Sequence, residues 1–430
     1  MRASVIVVGA GAAGLHAARL LHRDGARVTV LEAADRAGGR VQSLPGFATG
    51  PIELGAEELH GEHSLSLRLA RAGGLAVRLR RDRFRLWSDL AAGRRDAPSP
   101  SDLELRQAER FLDALPSYQG SDRPLSQALS RLPRRARELL DASLGNEYGT
   151  SSERLGMRAL AAAELAWSRE GTRNYVLDGA PLLSLLAGPA PEAIPTLLGR
   201  QVSAIDWSGP KVQVRTRGGE RFTAEQVLLT VPLPVLRDGD IAFTPPLPAK
   251  KSQAAQGIGV DPAIKILLRF RRPLWPARRS SLTVLGAPLA PQVWTRGASE
   301  AGRDDVLTAF ICGGAAEKFR ALGDRALSVL LAQLDAVLGP PGARAASRTL
   351  VDHVIKDWGA EPFIRCGFSH PTVGSTPLRA RLAAPLRRPR APRPSVAFAG
   401  EATHVELFGS LQGALLSAER AVAELGGNKT

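Results

Sequence analysis

Residues 4–14 read Ser-Val-Ile-Val-Val-Gly-Ala-Gly-Ala-Ala-Gly, and this stretch decides the fold. Its continuous apolar run, residues 4–8, is typical of a strand buried inside a parallel sheet. Residues 12–23 then show helical periodicity, and residues 27–31 form a second apolar strand. This order predicts a β-α-β unit of about 30 residues, with its glycines at the first turn.

The spacing of those glycines is more specific than their number. Gly9, Gly11 and Gly14 form a GxGxxG pattern, and Glu32 ends the second strand. In such a unit the first glycine permits a tight turn and the second admits a pyrophosphate at the positive end of the helix. The third allows close helix–strand packing, and the carboxylate accepts hydrogen bonds from ribose hydroxyls. The unit therefore predicts a dinucleotide site, and a ligand-free glycine turn is the alternative.

The composition narrows the class of protein. A chain of 430 residues, 44% of them hydrophobic, exceeds what one core normally serves, which predicts two joined domains. No apolar run is long enough for a transmembrane helix, so no membrane span is expected. Cys312 and Cys366 show no CxxC pattern and the histidines show no metal-like spacing, so neither a disulfide framework nor a metal is expected. This cysteine usage favours a reducing, cytoplasmic location.

The net charge of +15 would suit a nucleic acid or another acidic partner. Only seven of the 57 basic residues are lysines, however, and the arginines are scattered along the chain. No nucleic-acid-binding motif accompanies them. The basic residues are therefore predicted to lie on a solvated surface. No nucleic-acid role is expected, and an acidic protein partner stays an alternative.

The segment after the second strand distinguishes between dinucleotides. Residues 32–40 read Glu-Ala-Ala-Asp-Arg-Ala-Gly-Gly-Arg. After the first glycine loop, the chain therefore has a second glycine segment, where the backbone could approach a ligand closely, followed by the guanidinium of an arginine. An arginine in that place suits a pyrophosphate. The segment resembles the extended FAD fingerprint of the flavin-containing amine oxidase family, which includes monoamine oxidases, polyamine oxidases and lysine-specific histone demethylases.

The resemblance extends along the whole chain, because similar segments follow in the family's order. These are residues 53–61, 175–183, 201–205, 227–236, 358–369, 398–404 and 411–414. The likeness implies an α/β, two-domain, FAD-linked amine oxidase-like fold. Its parts would be a Rossmann-type FAD-binding domain made of residues 1–75, 181–255 and 350–430, and an α+β substrate domain made of residues 76–180 and 256–349.

The same likeness implies which residues contact FAD. They are Gly9, Gly11, Ala13, Gly14, Glu32, Ala33, Gly39, Arg40, Gly55, Ala56, Val202, Trp358, Gly400, Glu401, Leu411 and Ala414. Monoamine oxidases link the flavin covalently to a cysteine next to an aromatic residue. Here Gly367 takes that place and Cys366 comes one residue earlier. Noncovalent FAD is therefore expected, and a link to Cys366 is the alternative.

Lys265 stands in an otherwise apolar strand, residues 263–268. A buried charge is costly unless it has a partner, so periodicity alone leaves open a lysine at a sheet edge that faces solvent. The family resemblance implies instead a lysine that holds a water against flavin N5 and assists reoxidation by oxygen.

Glu57, Glu58 and His60 form a polar cluster beside the expected flavin face. A carboxylate there could pair with a substrate ammonium or help to deprotonate it. His60 matches a position where polyamine oxidases have a His or Glu that handles the substrate amine. A hydrated loop with solvent-facing acids is the alternative.

The resemblance also implies the walls of the substrate site. Phe368 would form one wall and Trp358 would pack near the flavin, unless both are only core aromatics. Tyr175 is a further wall candidate. Ser410 occupies the position where monoamine oxidases have a second aromatic residue, so the resemblance does not imply an aromatic pair around a simple amine.

Together these features predict an FAD-dependent oxidase. It would transfer hydride from a C–H bond alpha to an amine or amide nitrogen to flavin N5, giving an imine and, with molecular oxygen, hydrogen peroxide. A small amine-like molecule is the expected substrate, and tailoring of a larger secondary metabolite is compatible. The alternatives are a C–C desaturase or oxidase of the porphyrinogen or carotenoid type, and a non-catalytic flavin-binding scaffold for an acidic partner. The oligomeric state is open, with a homodimer as one option.

Overall fold

The computed structural model describes residues 3–93, 102–187, 194–275, 281–296, 305–338 and 342–426. The strands are β1 (Ser4–Val8), β2 (Arg27–Leu31), β3 (Ser43–Ala48), β4 (Gly50–Glu53), β5 (Leu59–His60), β6 (Val77–Leu79), β7 (Asp82–Leu86), β8 (Asn174–Leu177), β9 (Thr196–Leu197), β10 (Val202–Asp206), β11 (Val212–Thr216), β12 (Arg221–Ala224), β13 (Gln226–Leu229), β14 (Ala242–Thr244), β15 (Gly259–Val260), β16 (Ala263–Phe270), β17 (Ser281–Leu285), β18 (Gln292–Thr295), β19 (Val306–Cys312), β20 (Leu350–Asp357), β21 (Ser369–His370) and β22 (Val396–Phe398).

The α-helices are α1 (Ala12–Arg23), α2 (Leu65–Ala72), α3 (Trp87–Ala91), α4 (Leu103–Ala114), α5 (Leu125–Leu129), α6 (Arg134–Leu140), α7 (Met157–Glu170), α8 (Ser184–Ala187), α9 (Leu233–Arg237), α10 (Ala249–Gly257), α11 (Gly313–Ala321), α12 (Ala326–Val337), α13 (Ala345–Thr349), α14 (Leu378–Ala383) and α15 (Leu411–Glu424). A π-helical segment, Asp141–Asn146, follows α6.

A five-stranded parallel sheet carries the glycine loop. Its strand order is β22-β13-β1-β2-β9, and every neighbouring pair is parallel. The predicted β-α-β unit is confirmed as β1, α1 and β2. Helices α1 and α15 pack together against this sheet through small residues such as Ala17 and Ala418, which share an apolar cluster with Val5 and Val7. Small side chains allow the two helices and the sheet to approach closely.

A second apolar cluster covers the other face of that sheet. Ile6 and Val8 pack there against Ile205 and Val214 of a four-stranded sheet, whose order is β12-β11-β10-β14. β11 and β12 pair antiparallel, and the chain turns between them at Gly218–Gly219. The parallel sheet is therefore buried on both faces, as its continuous apolar strands predict.

The larger sheet of the substrate side has the order β20-β16-β19-β18-β17-β7. β16 lies inside it, with β19 and β20 as antiparallel neighbours, so Lys265 is opposite Phe310 on one side and Lys356 on the other. Lys265 is only 3% exposed. The alternative of a solvent-facing lysine at a sheet edge is therefore wrong.

The pairing of β20 with β16 moves one boundary of the predicted domain division, the one at residue 350. Residues 350–430 were assigned to the FAD-binding domain, yet β20 pairs with β16 along most of its length. The strand thus belongs structurally with the substrate-side sheet, and a boundary after Asp357 fits the pairing better. The rest of the division stays a proposal.

A helical layer completes the substrate side. Residues 103–170 are largely helical, and their core includes Leu125, Leu140, Leu155 and Leu160. Phe408, from the C-terminal part of the chain, packs into the same core. Across the described ranges, no helix combines the length and apolar character that crossing a bilayer requires.

Lys251 joins α10 to the end of α14. Its Nζ donates hydrogen bonds to the carbonyl oxygens of Arg381 at 3.3 Å, Leu382 at 2.5 Å and Ala384 at 2.6 Å. It also lies 3.8 Å from the centre of the Phe398 ring. The last carbonyls of a helix lack partners within the helix, so this buried ammonium satisfies groups that would otherwise be unpaired.

We expect the Lys251→Met variant to lower the free energy of unfolding by about 1–3 kcal/mol, because it leaves those buried carbonyls without a donor. The neighbouring Lys250 is exposed on the same helix, so Lys250→Met should change stability by less than about 0.5 kcal/mol. Urea unfolding of both variants measures the difference. Equal effects would contradict the assigned role of Lys251.

Candidate active site

A cavity of about 900 Å³ connects the glycine loop with the six-stranded sheet. Such a volume is typical of ligand sites between structural layers. The cofactor half of its lining includes Gly9 and Gly11 of the glycine loop, residues 31–36 and 38–41, and residues 200–202. The substrate half comprises Glu57, Glu58, His60, Arg80, Asp82, Glu147, Gln292, Trp294 and Phe310, with Lys265 and Phe368 between the halves.

The glycine loop keeps space open at the start of α1. A Cβ added to Gly11 would meet no atom within 4 Å, whereas one added to Gly14 would lie 1.9 Å from the carbonyl oxygen of Gly9. Gly11 therefore leaves room for a ligand where the N–H groups of α1 point outward. Gly14 serves the close packing of helix on strand instead.

Glu32 ends β2 beside this open space. Its carboxylate accepts hydrogen bonds from the backbone N–H groups of Ala10 at 2.6 Å and Ala34 at 2.9 Å. These bonds hold the carboxylate in the position where dinucleotide sites bind a ribose. The open loop, the fixed carboxylate and the guanidinium of Arg40, which also lines the cavity, fit FAD.

Most of the residues predicted to contact FAD line this cavity. They are Gly9, Gly11, Glu32, Ala33, Gly39, Arg40, Gly55, Ala56, Val202, Trp358, Glu401, Leu411 and Ala414. The other three predicted FAD contacts are not among the residues that line the cavity. Ala13 is buried in the helix–sheet core, Gly14 supports the packing above, and Gly400 turns the chain after β22 with φ +116°. They serve packing and chain direction, and their contact with FAD stays a prediction.

Glu401 is a buried carboxylate held by three segments. One oxygen accepts from Arg40 at 2.9 Å and from the Ser369 N–H at 3.2 Å. The other accepts from the Ser369 hydroxyl at 2.6 Å and from the Gly409 N–H at 2.9 Å. Burial opposes ionisation, but Arg40, Ser369 and Arg379 outweigh it, so the pKa of Glu401 is lowered. The carboxylate is therefore a permanent anion in the wall of the cavity.

Cys366 does not line the cavity, although its neighbour Gly367 does. The thiol is buried in an apolar cluster with Leu54 and Trp358. Burial raises the pKa of Cys366 to about 11, so the sulfur is protonated at neutral pH. Since the thiolate is the reactive form, this environment favours an inert cysteine.

Lys265 and Glu57 form a buried ion pair. The Nζ of Lys265 donates to the Glu57 carboxylate at 2.6 Å and to the Gly55 carbonyl at 3.2 Å. Burial opposes ionisation of Glu57, but Lys265 and Arg80 outweigh it and lower the pKa of Glu57 to about 2. Glu57 is therefore a fixed anionic partner for the lysine and cannot accept a proton at neutral pH.

Arg80 provides the counter-charge for the second acid. Its guanidinium donates to Glu58, and its Nε donates to Asp82 at 3.0 Å. Burial raises the pKa of Glu58 even though Arg80 opposes that shift. Burial also opposes the charge of Arg80, but Glu58, Glu57 and Asp82 outweigh it and raise the pKa of Arg80. Neither Glu57 nor Glu58 thus offers an unpaired carboxylate to a substrate ammonium, which corrects the simple pairing expected from the sequence.

His60 lines the same half of the cavity. Its Nδ1 lies 3.2 Å from the amide oxygen of Asn174 and 3.9 Å from the Glu58 carboxylate. Its ring meets Trp167 edge-on, with centroids 5.5 Å apart. Because Glu57 and Glu58 are largely buried and His60 is held by three contacts, the alternative of a hydrated loop with solvent-facing acids is wrong.

Three aromatic rings form one wall of the cavity. Phe368 stacks on Phe310 with centroids 6.4 Å apart, and Phe310 meets Trp294 edge-on at 6.1 Å. Trp358 lines another part, and its indole N–H donates to the Leu54 carbonyl at 2.9 Å. Phe368 and Trp358 are therefore placed at the cavity, as the sequence predicts.

The two remaining wall candidates differ in position. Ser410 lines the cavity, and its hydroxyl caps α15 by accepting a hydrogen bond from the Gly413 N–H at 2.9 Å. Tyr175 lies outside the described lining, and its expected wall role is corrected. Its strand β8 pairs with β5 and β6, and the ring is buried in an apolar cluster with Leu59 and Leu182.

Sequence reasoning missed Arg80, Glu147, Gln292, Trp294 and Phe310, all of which line the cavity. Arg80 stands in the basic run 78–83, which has the character of a solvated loop. The aromatic residues look like ordinary members of half-buried strands. Their position follows from the pairing of β18 with β19 and of β19 with β16, which no local pattern reveals.

The parallel sheet, the glycine loop and the ribose-type carboxylate define an α/β dinucleotide-binding protein with a second sheet over the site. Comparison with known proteins gives the family. The sequence profile of the family described as flavin containing amine oxidoreductase matches residues 12–426. This chain belongs to that family.

Individual relatives agree with this assignment. The mouse lysine-specific histone demethylase 1B is 28% identical over 98% of this chain, which spans only 52% of that protein. A probable polyamine oxidase 4 of Arabidopsis thaliana is 30% identical over 96% of this chain and 85% of its own length. A putrescine oxidase solved with bound putrescine has the same fold, with a TM-score of 0.80, 20% identity and 98% coverage of both chains.

We expect the Gly11→Val variant to fold normally and to lose FAD, because the new side chain enters open space that the pyrophosphate would occupy. FAD occupancy after gel filtration and the unfolding midpoint of FAD-free protein measure the two effects. Gly14→Ala should behave differently and destabilise the FAD-free protein by about 1–3 kcal/mol through overpacking. Full FAD occupancy in Gly11→Val would contradict the site.

We expect Glu57→Gln to cost about 3–5 kcal/mol of unfolding free energy, because it leaves the Lys265 ammonium buried without its counter-charge. The pKa of Glu57 is lowered in the folded protein, so its contribution is complete above its usual pKa and declines as pH falls toward about 2. Urea unfolding across the acid range measures this trend.

A double-mutant cycle with Lys265→Met provides the control for that prediction. The double variant should lose clearly less unfolding free energy than the sum of the losses in the two single variants, because each single substitution breaks the same ion pair. The exposed pair Arg269–Asp352 is the matched comparison, and Asp352→Asn should change stability by less than about 1 kcal/mol. Additive effects at Glu57 and Lys265 would show that the buried pair does not act as a unit.

Proposed function

We propose that this chain is an FAD-dependent oxidase acting on the CH–NH group of an amine. It would remove a hydride from the carbon alpha to nitrogen, giving an imine and, with oxygen, hydrogen peroxide. The observation that carries the proposal is one cavity in which the glycine loop and Glu32 meet Lys265 and the aromatic wall. Family membership supports it, as do relatives named polyamine oxidase and histone demethylase.

When bound, FAD would accept the hydride and pass the electrons to oxygen. The chain would supply binding, orientation and charge. Glu32 would bind the ribose and Arg40 the pyrophosphate. Lys265, kept in place by Glu57, would hold a water beside the flavin. The ring of Phe368 would exclude bulk water from the reacting carbon.

Glu58 and His60 are the groups we assign to proton handling. The substrate nitrogen must be neutral before hydride leaves the adjacent carbon. Glu58 has its pKa raised by burial, and its Oε2 lies 3.9 Å from Nδ1 of His60. A proton acceptor works best when its pKa lies near the working pH, which favours Glu58 over Glu57.

The other activities expected from the sequence receive less support. A desaturase of the porphyrinogen or carotenoid type would need a mainly apolar substrate surface. Here the substrate half of the cavity and its junction with the cofactor half carry four acids and two cations, which are Glu57, Glu58, Asp82, Glu147, Arg80 and Lys265. A non-catalytic scaffold would not require a buried lysine paired inside such a cavity. Oxygen as acceptor, a cytoplasmic location and a homodimer stay predictions.

An anaerobic panel of monoamines, polyamines, amino acids and amide-containing metabolites tests the proposal. We expect one class to bleach the flavin absorbance rapidly and to release peroxide when air is admitted. Lys265→Met should slow reoxidation at least about tenfold, whereas Lys318→Met, on an exposed position of α11, should not. A protein that cannot be loaded with FAD would refute the proposal. A yellow protein that no amine bleaches would point to C–C oxidation.

Acid precipitation of the yellow protein tests the mode of FAD attachment. We expect the flavin to stay in the supernatant, because Cys366 is buried and protonated. The Cys366→Ser variant is the matched control and should release flavin in the same way. Flavin that precipitates with the wild type but not with Cys366→Ser would establish a covalent link.

A further inference from the structure

One carboxylate in the substrate half has no cationic partner among the residues that the structure describes. Three of its four acids, Glu57, Glu58 and Asp82, are paired with lysine or arginine. In the part of the chain that the structure describes, no lysine, arginine or histidine nitrogen lies within 4 Å of the carboxylate of the fourth, Glu147. A cationic group of a substrate in this half of the cavity would therefore be attracted by the unpaired carboxylate of Glu147.

Glu147 is available from the cavity. It belongs to the cavity lining and its side chain is exposed, in contrast to the buried acids near Lys265. Its carboxylate accepts a hydrogen bond from Nε2 of Gln292 at 3.0 Å. That bond fixes one oxygen and leaves the other for a ligand.

The hydrogen bond from Gln292 to Glu147 is part of a network of two buried side-chain amides, Gln292 and Asn146, which we call the clamp. Nε2 of Gln292 also donates to the Ala142 carbonyl at 3.1 Å, and its Oε1 accepts from Nδ2 of Asn146 at 3.1 Å. The Asn146 side-chain oxygen accepts from the Cys312 N–H at 2.9 Å. Buried amides are costly unless they are fully bonded, and here their bonds fix the direction of the carboxylate.

The local backbone supports the same arrangement. Glu147 directly follows the π-helical segment Asp141–Asn146, and π-helical turns occur frequently at functional sites. Gln292 lies two residues before Trp294 on β18, so both side chains are on one face of the strand. Gln292 is also opposite Phe310 on β19. The acid thus lies at the border of the aromatic wall.

A carboxylate beside aromatic rings suits an ammonium group. Aromatic faces attract alkylammonium ions through their negative π-surface, and their apolar rings also pack against methylene groups. The wall formed by Trp294, Phe310 and Phe368 leads from the neighbourhood of Glu147 to the junction with the cofactor half. An alkyl chain along this wall could place one nitrogen at Glu147 and another at the reacting position.

We propose that Glu147, oriented by Gln292, binds a second, non-reacting ammonium group of the substrate. The preferred substrate is then an amine with two cationic nitrogens separated by an apolar chain. This inference rests on the proposed amine oxidase function and names its substrate class. Glu147 acts as a binding residue, and Gln292 acts as a positioning residue.

Matched pairs of n-alkylamines and alkane diamines, from 1,4-diaminobutane to 1,8-diaminooctane, test this inference on the FAD-loaded enzyme. We expect the best diamine to have a kcat/KM at least about tenfold above its monoamine. Glu147→Gln should raise KM for that diamine by about ten- to a hundredfold, the loss of one charge-assisted bond, with kcat little changed. Glu153→Gln removes an exposed acid outside the lining and should behave like the wild type, and Glu147→Asp should recover part of the loss.

A binding measurement separates this inference from the proposed function. The dissociation constant of the diamine is measured by calorimetry with wild type and Glu147→Gln, independently of turnover. Weaker binding to Glu147→Gln supports the subsite even if no amine is oxidised, a result that would refute only the oxidase function. Equal affinity in the two proteins, absence of diamine binding to the wild type, or an unchanged diamine-to-monoamine ratio in Glu147→Gln would overturn it.

Gln292→Met tests the clamp. Removing the amide donor should raise KM for the diamine by a smaller factor than Glu147→Gln does, and it should raise the diamine KM by a larger factor than the monoamine KM. In the Glu147→Gln background it should have no further effect on diamine binding, because it acts only through the carboxylate. An equal effect on monoamine and diamine would indicate a general structural role and would remove Gln292 from the subsite.

Discussion

The carboxylate of Glu401 joins segments that are far apart in the chain. It accepts hydrogen bonds from Arg40 after β2, from Ser369 next to the aromatic wall, and from Gly409 just before α15. A buried charge persists only when such partners compensate for the water it has lost. Together with the hydrogen bond from Arg40 to the Gly367 carbonyl at 2.9 Å, this carboxylate therefore holds Phe368 in position relative to the glycine loop.

The same requirement explains the charges in the substrate half. Glu57 is acceptable there because Lys265 is beside it, and Glu58 and Asp82 because they share Arg80. These pairs neutralise each other before any substrate enters. Electrostatic selection by the cavity must then come from charge that remains unpaired, which makes the detailed pairing more informative than the number of acids.

The architecture separates two tasks. The parallel sheet, buried on both faces, offers the ends of its strands and the start of α1 to a dinucleotide, which is where open α/β sheets bind ligands. The six-stranded sheet brings Lys265 to the same cavity from the middle of β16. A lysine in a central strand is held more firmly than one on a loop, and this rigidity would suit the role proposed for Lys265 beside FAD.

The nucleotide-binding unit could be predicted from the sequence, because glycine spacing, strand apolarity and the terminal Glu32 act within about 30 residues. The sequence also indicated Lys265, Trp358, Phe368 and Glu401 through the family resemblance. The three-dimensional structure was needed to show that Tyr175 lies in a core and that β20 joins the substrate-side sheet. It alone showed that Arg80 pairs with Glu58 while Glu147 has no such partner among the described residues. The reason is physical: strand pairing and ion pairing between distant residues depend on three-dimensional proximity, which local periodicity does not encode.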